Sequence, residues 1–420
     1  MKLAHRCLLG AAALWVLGTA ARAQAPAQTQ AGEDKPDATL TLKIGNPKLK
    51  DQTMAVAAGA VLSGSTGRAV GFDRMIAEMR ASRFVHVGET HDSLPMHDIQ
   101  FRVLEALHAQ DRHLAVGMEM LPVSVQETLN KWSAGILTKE EFIREVRWYV
   151  NWNFNFGYYE KIFDFAKEHR LPVYALNIPR EIISKIRTRG WDALSDEEKA
   201  LIPAAPDVSH QDHRTLIRTI FESADLPPQM KGPGLDQVFE GLYRSQSAWD
   251  EVMGANAVRG AASEGRRVVV CTGSGHLIYN LGLNRRAFER SGLPFKTVIA
   301  VAVPPGKSSV TVSRSFGDYV IGIVAEDGPA FPSIGLGFKN VENLTNLVVD
   351  PKPTGGEAAK AGFEKGDVVL SVDGKSYDDT NEIRTYLARF RAGDKVAFKV
   401  LRDGQVKEVA LEFGKNEPKD

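Results

Sequence analysis

The sequence predicts an α/β fold, a mostly parallel sheet with helices on both faces and a helical lid, followed by a small β-rich domain. Apolar runs of strand length recur with helical patterns between them, and each run is nearly continuous rather than alternating, as strands covered on both faces require. After Val303 the pattern changes to short strands and tight turns around one helix.

Taken in order, the chain opens with Lys2, His5 and Arg6, an apolar stretch from Cys7 to Leu17, and small residues ending Ala21-Arg22-Ala23. This is the charged, apolar and small-residue order of a secretory signal, with cleavage after Ala23 or Ala25, and it predicts export to the periplasm or beyond. Cys7 lacks the preceding small residue that lipid attachment needs, which favours a soluble exported protein over a lipoprotein. Residues 24–50 read as a poorly ordered leader, rich in Ala, Gln, Pro and charge at its start.

The strands of the first domain are expected at Phe84–Val87, Leu114–Met118, Val173–Asn177, Val268–Cys271 and Thr297–Val303, with Asp318–Ala325 as a last one. Ile99, Val103, Leu104 and Leu107 mark a helix after the first strand, and alternation of this kind implies right-handed parallel crossovers. Residues 178–267 hold more helix than one crossover needs. Ser195 to Glu198 looks like a helix start and Leu235 to Ala262 like a long helix, so this region is expected to form an inserted lid together with Trp132 to Tyr159. Pro329 and Pro332 mark a linker. Beyond it, Val348-Val349, Val368–Val372, Val396–Leu401 and Val406–Phe413 are short strands, Asp373-Gly374 and Asp403-Gly404 are hairpin turns, and Thr380–Arg389 is the helix.

Composition narrows the function. The 420 residues are 43% hydrophobic and 25% charged, with 52 basic and 52 acidic side chains, so no net field favours nucleic acid or an acidic membrane. No apolar stretch of the mature chain approaches a membrane span. Cys271 is the one cysteine left after signal removal, which excludes an intramolecular disulfide.

In an open parallel sheet the functional crevice lies beyond the carboxyl ends of the strands. The first strand leads into Gly88-Glu89-Thr90-His91, the second ends at Glu119, the third at Asn177 with Arg180 behind it, and the fourth leads into Gly273-Ser274-Gly275-His276. Two chemistries suit this rim. Glu89, His91, Glu119 and His276 can hold a divalent cation such as Zn or Mn and poise water, with Glu119 or Glu89 as general base of a hydrolase. Alternatively a planar iron ligand enters between sheet and lid, with His91, His97, His276 and Tyr159 as candidates around it and Arg180 meeting a propionate. The crowded aromatics from Trp148 to Tyr159 are either packing for the lid or the wall of that ligand. His210 and His213, spaced i, i+3 among polar neighbours, read as a solvated helix start.

The ordered set of strings, with Gly117-Met118-Glu119-Met120 and Asn177-Ile178-Pro179-Arg180-Glu181, resembles the ChaN-like family of exported haem-binding proteins, grouped with TraB, Tiki and erythromycin-esterase proteins. That resemblance implies haem or iron-ligand binding, while the wider superfamily implies metal-dependent hydrolysis. Similarly, Gly335-Leu336-Gly337-Phe338, the segment Ala358 to Gly374 and Arg402-Asp403-Gly404 resemble a bacterial-type PDZ domain. It implies a carboxylate-binding loop at residues 335–338 and a groove walled by Ile383 and Leu387, taking the apolar C-terminus of a peptide or protein partner. The expected organisation is a signal at 1–23, leader 24–50, ChaN-like domain 51–326, linker 327–333, PDZ domain 334–414 and tail 415–420. A haem shared between two protomers would add a homodimer to the expected partners.

Overall fold

The computed structural model describes residues 37–224, 234–353 and 356–414, without side-chain detail at 261–264. The expected signal, the leader through residue 36 and the tail lie outside the described residues. Its strands are β1 (Thr53–Val56), β2 (Val61–Ser63), β3 (Phe84–Glu89), β4 (Leu114–Pro122), β5 (Val173–Asn177), β6 (Arg267–Gly273) and β7 (Phe295–Val303). They continue with β8 (Val310–Ser313), β9 (Tyr319–Val324), β10 (Phe338–Val341), β11 (Leu344–Val349), β12 (Val368–Val372), β13 (Lys395–Arg402) and β14 (Gln405–Glu412).

Seven strands form the main sheet in the order β2-β9-β7-β3-β6-β4-β5, parallel throughout except for the antiparallel edge pair β2 and β9. Alternate residues of one strand enter opposite cores: Val268 and Val270 join one apolar cluster, Val269 and Cys271 the other. Burial on both faces is what made these runs continuous in sequence.

The inserted helices Arg180–Arg189, Gln211–Ser223 and Leu235–Glu264 supply the first cluster, whereas Leu94–Gln110 and the aromatic segment up to Glu160–Glu168 supply the second. The two parts expected to make one lid therefore lie on opposite faces of the sheet. The 30-residue helix Leu235–Glu264, about 45 Å long at 1.5 Å per residue, packs against β5, β4 and β6.

Residues 37–50, assigned to the leader above, are ordered: Asp37 caps a turn of helix at Ala38–Thr41, and Leu40 and Ile44 are buried in the first cluster. The ribbon β1–β8 is a second feature without a sequence expectation. Strands of three or four residues show too little periodicity to be read.

The second sheet is antiparallel in the order β10-β11-β12-β13-β14, wrapped on the helix Thr380–Leu387. Arg402 clasps Asp367 with two hydrogen bonds of 2.6 Å, fastening β13 to the turn before β12. Strand β10 is an edge and is exposed along Lys339–Val341.

Candidate functional site

Strands β3 and β6 are neighbours, and Glu89 lies in register with Gly273, so the two glycine–histidine strings sit side by side at one rim. Their glycines are needed for that approach. A Cβ on Gly88 would lie 2.7 Å from Ser274 Oγ, and one on Gly273 would lie 2.8 Å from His91 Cε1.

His91 and Glu89 are joined at the rim by a 2.6 Å contact between Nδ1 and Oε1. His97, one turn into the next helix, reaches Gln100 Oε1 at 3.1 Å and stands 3.8 Å from Glu89 Oε2. Gln100 in turn donates to the Val87 carbonyl at 2.8 Å, which locks this shell to β3. Glu119 is inside β4 rather than at its end, because β4 runs on to Pro122. Its Oε2 accepts from the Gly273 amide at 2.7 Å and from the Thr272 hydroxyl, and its Oε1 lies 3.4 Å from His276 Nε2.

The other nitrogen of His276 meets Asp250 at 2.7 Å, and the second oxygen of Asp250 is 3.2 Å from His213 Nε2. Both Asp250 and His213 are fully buried. His213 is thus the inner end of a buried row of ionisable side chains, His213–Asp250–His276–Glu119, and not the solvated residue expected at this helix start. Asp250 had no place among the candidates either. One signal could have found it: Leu242, Gln246, Asp250, Met253 and Ala257 follow helical spacing, so the acid occupies the buried stripe of its helix.

The chain sets the protonation states. Burial alone would lower His276, but Glu119 and Asp250 outweigh it and lift the imidazole to about 10. Burial likewise opposes ionisation of Glu119, yet His276, His91 and the Thr272 hydroxyl hold its carboxyl down to about 2. Asp250 is lowered against its burial by His276 and His213. His91 is raised, Glu89 and Glu119 overcoming burial, while in His97 burial wins and lowers the ring. Both nitrogens of His276 are thus engaged, Nε2 facing Glu119 and Nδ1 facing Asp250, with Gln246 Nε2 at 2.8 Å beside Nδ1. The donor atoms that converge, within 4.8 Å of one another, are those of Glu89, His91 and Glu119.

An aromatic cover closes the rim. Trp152 and Phe154 stand 4.8 and 4.9 Å from the His91 ring, and Tyr159 stands edge-on 4.5 Å from His97. Tyr159 is fully buried, its oxygen accepts from Trp152 Nε1 at 2.9 Å, and burial holds its phenol well above the ordinary range. It belongs to the core of the cover and presents no oxygen to a ligand. Arg180 donates to the Val150 carbonyl at 3.3 Å, and burial with the neighbouring Arg384 lowers its guanidinium to about 10. Asn177 donates to the Glu119 carbonyl at 3.2 Å and so steadies β4 where it passes the site.

The sequence profile of the family described as haem-binding uptake, Tiki superfamily, ChaN matches residues 75–286, half of the chain. The chain belongs to the ChaN family. A PDZ domain profile matches residues 332–413 of this ChaN protein. The structure described as cofacial heme binding to ChaN of Campylobacter jejuni superposes with a TM-score of 0.50 at 19% identity, over 62% of this chain and 95% of that one, and so shares the fold. Curated relatives include a "probable periplasmic serine endoprotease DegP-like" of Marinomonas, 31% identical over 163 residues, and its namesake in Halomonas elongata, 31% identical over 153. These matches span 35% and 34% of this chain and 33% and 31% of the relatives, about a third of their length.

In the PDZ domain of this ChaN protein, Leu336, Ile383 and Leu387 share one buried cluster with Phe338 packed against it, and Gly335 adopts a φ of 66°. The residues of the expected peptide site are therefore brought together beside the exposed edge of β10.

Proposed function

We propose that this ChaN protein is exported, binds haem or a related iron ligand at the carboxyl rim of its parallel sheet, and docks the C-terminus of a partner in its PDZ groove. The observation that carries the reading is His91: an imidazole oriented by a carboxylate at Nδ1, with Trp152 in edge contact and Phe154 tilted against it, in a chain of the haem-binding uptake family. His91 would hold the iron through its other nitrogen, the two rings would wall the macrocycle, and Arg180 would meet a propionate. The donors fit this ligand once the aromatic cover is lifted, since in the closed form both rings lie against His91. Export is supported by the pattern of the first 23 residues and by the periplasmic naming of the PDZ-bearing relatives.

Haemin titrated into the mature chain is expected to give a saturable Soret shift that His91→Ala removes. An unchanged shift in that variant would reject His91 as the ligand. For the groove, the expected ligand is a decapeptide with an apolar last residue and a free carboxylate.

A second reading rests on a separate observation. Glu89 Oε2 is buried without a hydrogen-bond partner, beside the converging donors of His91 and Glu119. A buried carboxylate oxygen left in this state is costly unless a cation satisfies it. Under this reading Glu89, His91 and Glu119 bind Zn or Mn, which would supply the Lewis acidity of a hydrolase. Elemental analysis of protein purified from its own envelope separates the two, because iron with a Soret band and zinc or manganese without one exclude each other as outcomes.

A further inference from the structure

The aromatic cover has two sides. Its inner side carries Trp152 and Phe154 on His91 and Tyr158 and Tyr159 on His97. Its outer side is held by the PDZ domain. The Tyr149 amide donates to Asn381 Oδ1 at 2.9 Å, and Arg384 donates to the Tyr149 carbonyl at 2.7 Å and to Asn153 Oδ1 at 3.0 Å. Asn155 donates to the Ala388 carbonyl at 2.9 Å, and Arg147 pairs with Asp379 at 2.8 Å. The linker adds Phe331, whose ring rests on Tyr158 and fills the space where a Cβ on Gly157 would lie 2.4 Å from its Cζ.

All but the linker contact lead to one short element, the helix Thr380–Leu387 with the residues that flank it. Asn381, Arg384 and Ala388 form its outer stripe at i, i+3, i+7 spacing, while Ile383 and Leu387 form the adjacent stripe that walls the peptide groove. Ile383 and Leu387 are fully buried, and Asn340 Nδ2 donates to the Asp378 carbonyl at 2.7 Å, drawing β10 against the start of the helix. With these side chains buried and β10 tied to the start of the helix, an apolar side chain entering beside β10 presses directly on this helix. An eight-residue helix moves as one body, so a shift on the groove side is a shift on the cover side.

We propose that the PDZ helix is the latch of the aromatic cover: a C-terminal peptide seated between β10 and Thr380–Leu387 displaces the helix from Tyr149 and Asn153 and opens the way to His91. The inference rests on the peptide-docking part of the proposed function. In the closed state Arg384 Nε is buried without a hydrogen-bond partner, and the guanidiniums of Arg384 and Arg180 donate to the successive carbonyls of Tyr149 and Val150.

The test is hydrogen exchange read by mass spectrometry over residues 148–159 of the full mature chain. Peptide binding is measured in parallel by fluorescence anisotropy with decapeptides ending in free Val, Leu, Ile or Phe. Saturation with the tightest of these is expected to speed exchange in that segment by about tenfold or more, as local opening no longer breaks the contacts of the latch. Asn381→Ala/Arg384→Ala should show the same acceleration without peptide, and Arg384→Ala alone a smaller one, with the PDZ domain still binding peptide. Bound peptide with unchanged or slower exchange overturns the latch. So does unchanged exchange in the double variant. If none of the peptides binds, the flat anisotropy shows that the docking reading itself has failed, and the latch falls with it.

Discussion

At the rim of the parallel sheet Glu89, His91, Glu119 and His276 are each at most 5% exposed and already bonded to one another, whereas on the edge strand of the antiparallel sheet Val341 is 39% exposed. The first region keeps its charges out of water by pairing them in advance. The second leaves backbone donors and acceptors unpaired on β10 for an arriving strand. The difference teaches where sensitivity to mutation should lie: in the rim it falls on stability and protonation, at the edge on binding alone.

Four measurements would break or sharpen that contrast. The largest effect is expected for Asp250→Ala, which leaves His276 and His213 buried without their shared carboxylate. Loss of one partner of such a pair costs about 3–5 kcal/mol, readable by chemical denaturation. A loss below about 1 kcal/mol would show that the rim is not held by its charges.

Next comes His86, inside β3 below the rim, buried with neither ring nitrogen bonded. Burial lowers it from 6.5 to about 3, so the folded ring stays neutral while the unfolded one gains a proton below pH 6.5. Its contribution to stability is full above pH 6.5 and is lost as pH falls toward 3, at up to about 1.4 kcal/mol per pH unit. His86→Leu should flatten the acid limb of the stability curve by up to that slope. Equal slopes in both proteins would contradict the neutral buried ring.

At the groove, replacing the free carboxylate of a bound peptide by an amide should weaken binding by about 10- to 100-fold, the worth of hydrogen bonds to a charged group. The smallest effect belongs to the exposed sheet surface: Lys399→Ala, which breaks the ion pair with Glu408, should change stability by less than about 0.5 kcal/mol.

Much of this was readable because burial on both faces writes strands as unbroken apolar runs. The runs at β3 and β6 placed Glu89, His91 and His276 on one rim, and their pairing in the sheet was the one step the sequence could only suggest. Asp250 and His213 escaped because polar residues on helices are read as solvated unless the whole buried stripe is followed. Glu119 was found, but its strand continues past it, since Met120 and Leu121 extend the apolar run beyond the turn the acid suggested. The contacts of Asn381 and Arg384 with Tyr149 were not legible at all. Polar residues on a helix carry no mark of a neighbour more than 200 positions away.

Cys271 has a use that follows from its place in the sheet. Its thiol is fully buried in the middle of β6, in register with Val87 on one side and Met118 on the other, and burial raises it far above the ordinary thiol range. A thiol reagent can reach it only when the helices and aromatic residues packed on that face of the sheet move away. The chain therefore carries its own reporter of when that face of the sheet is laid open.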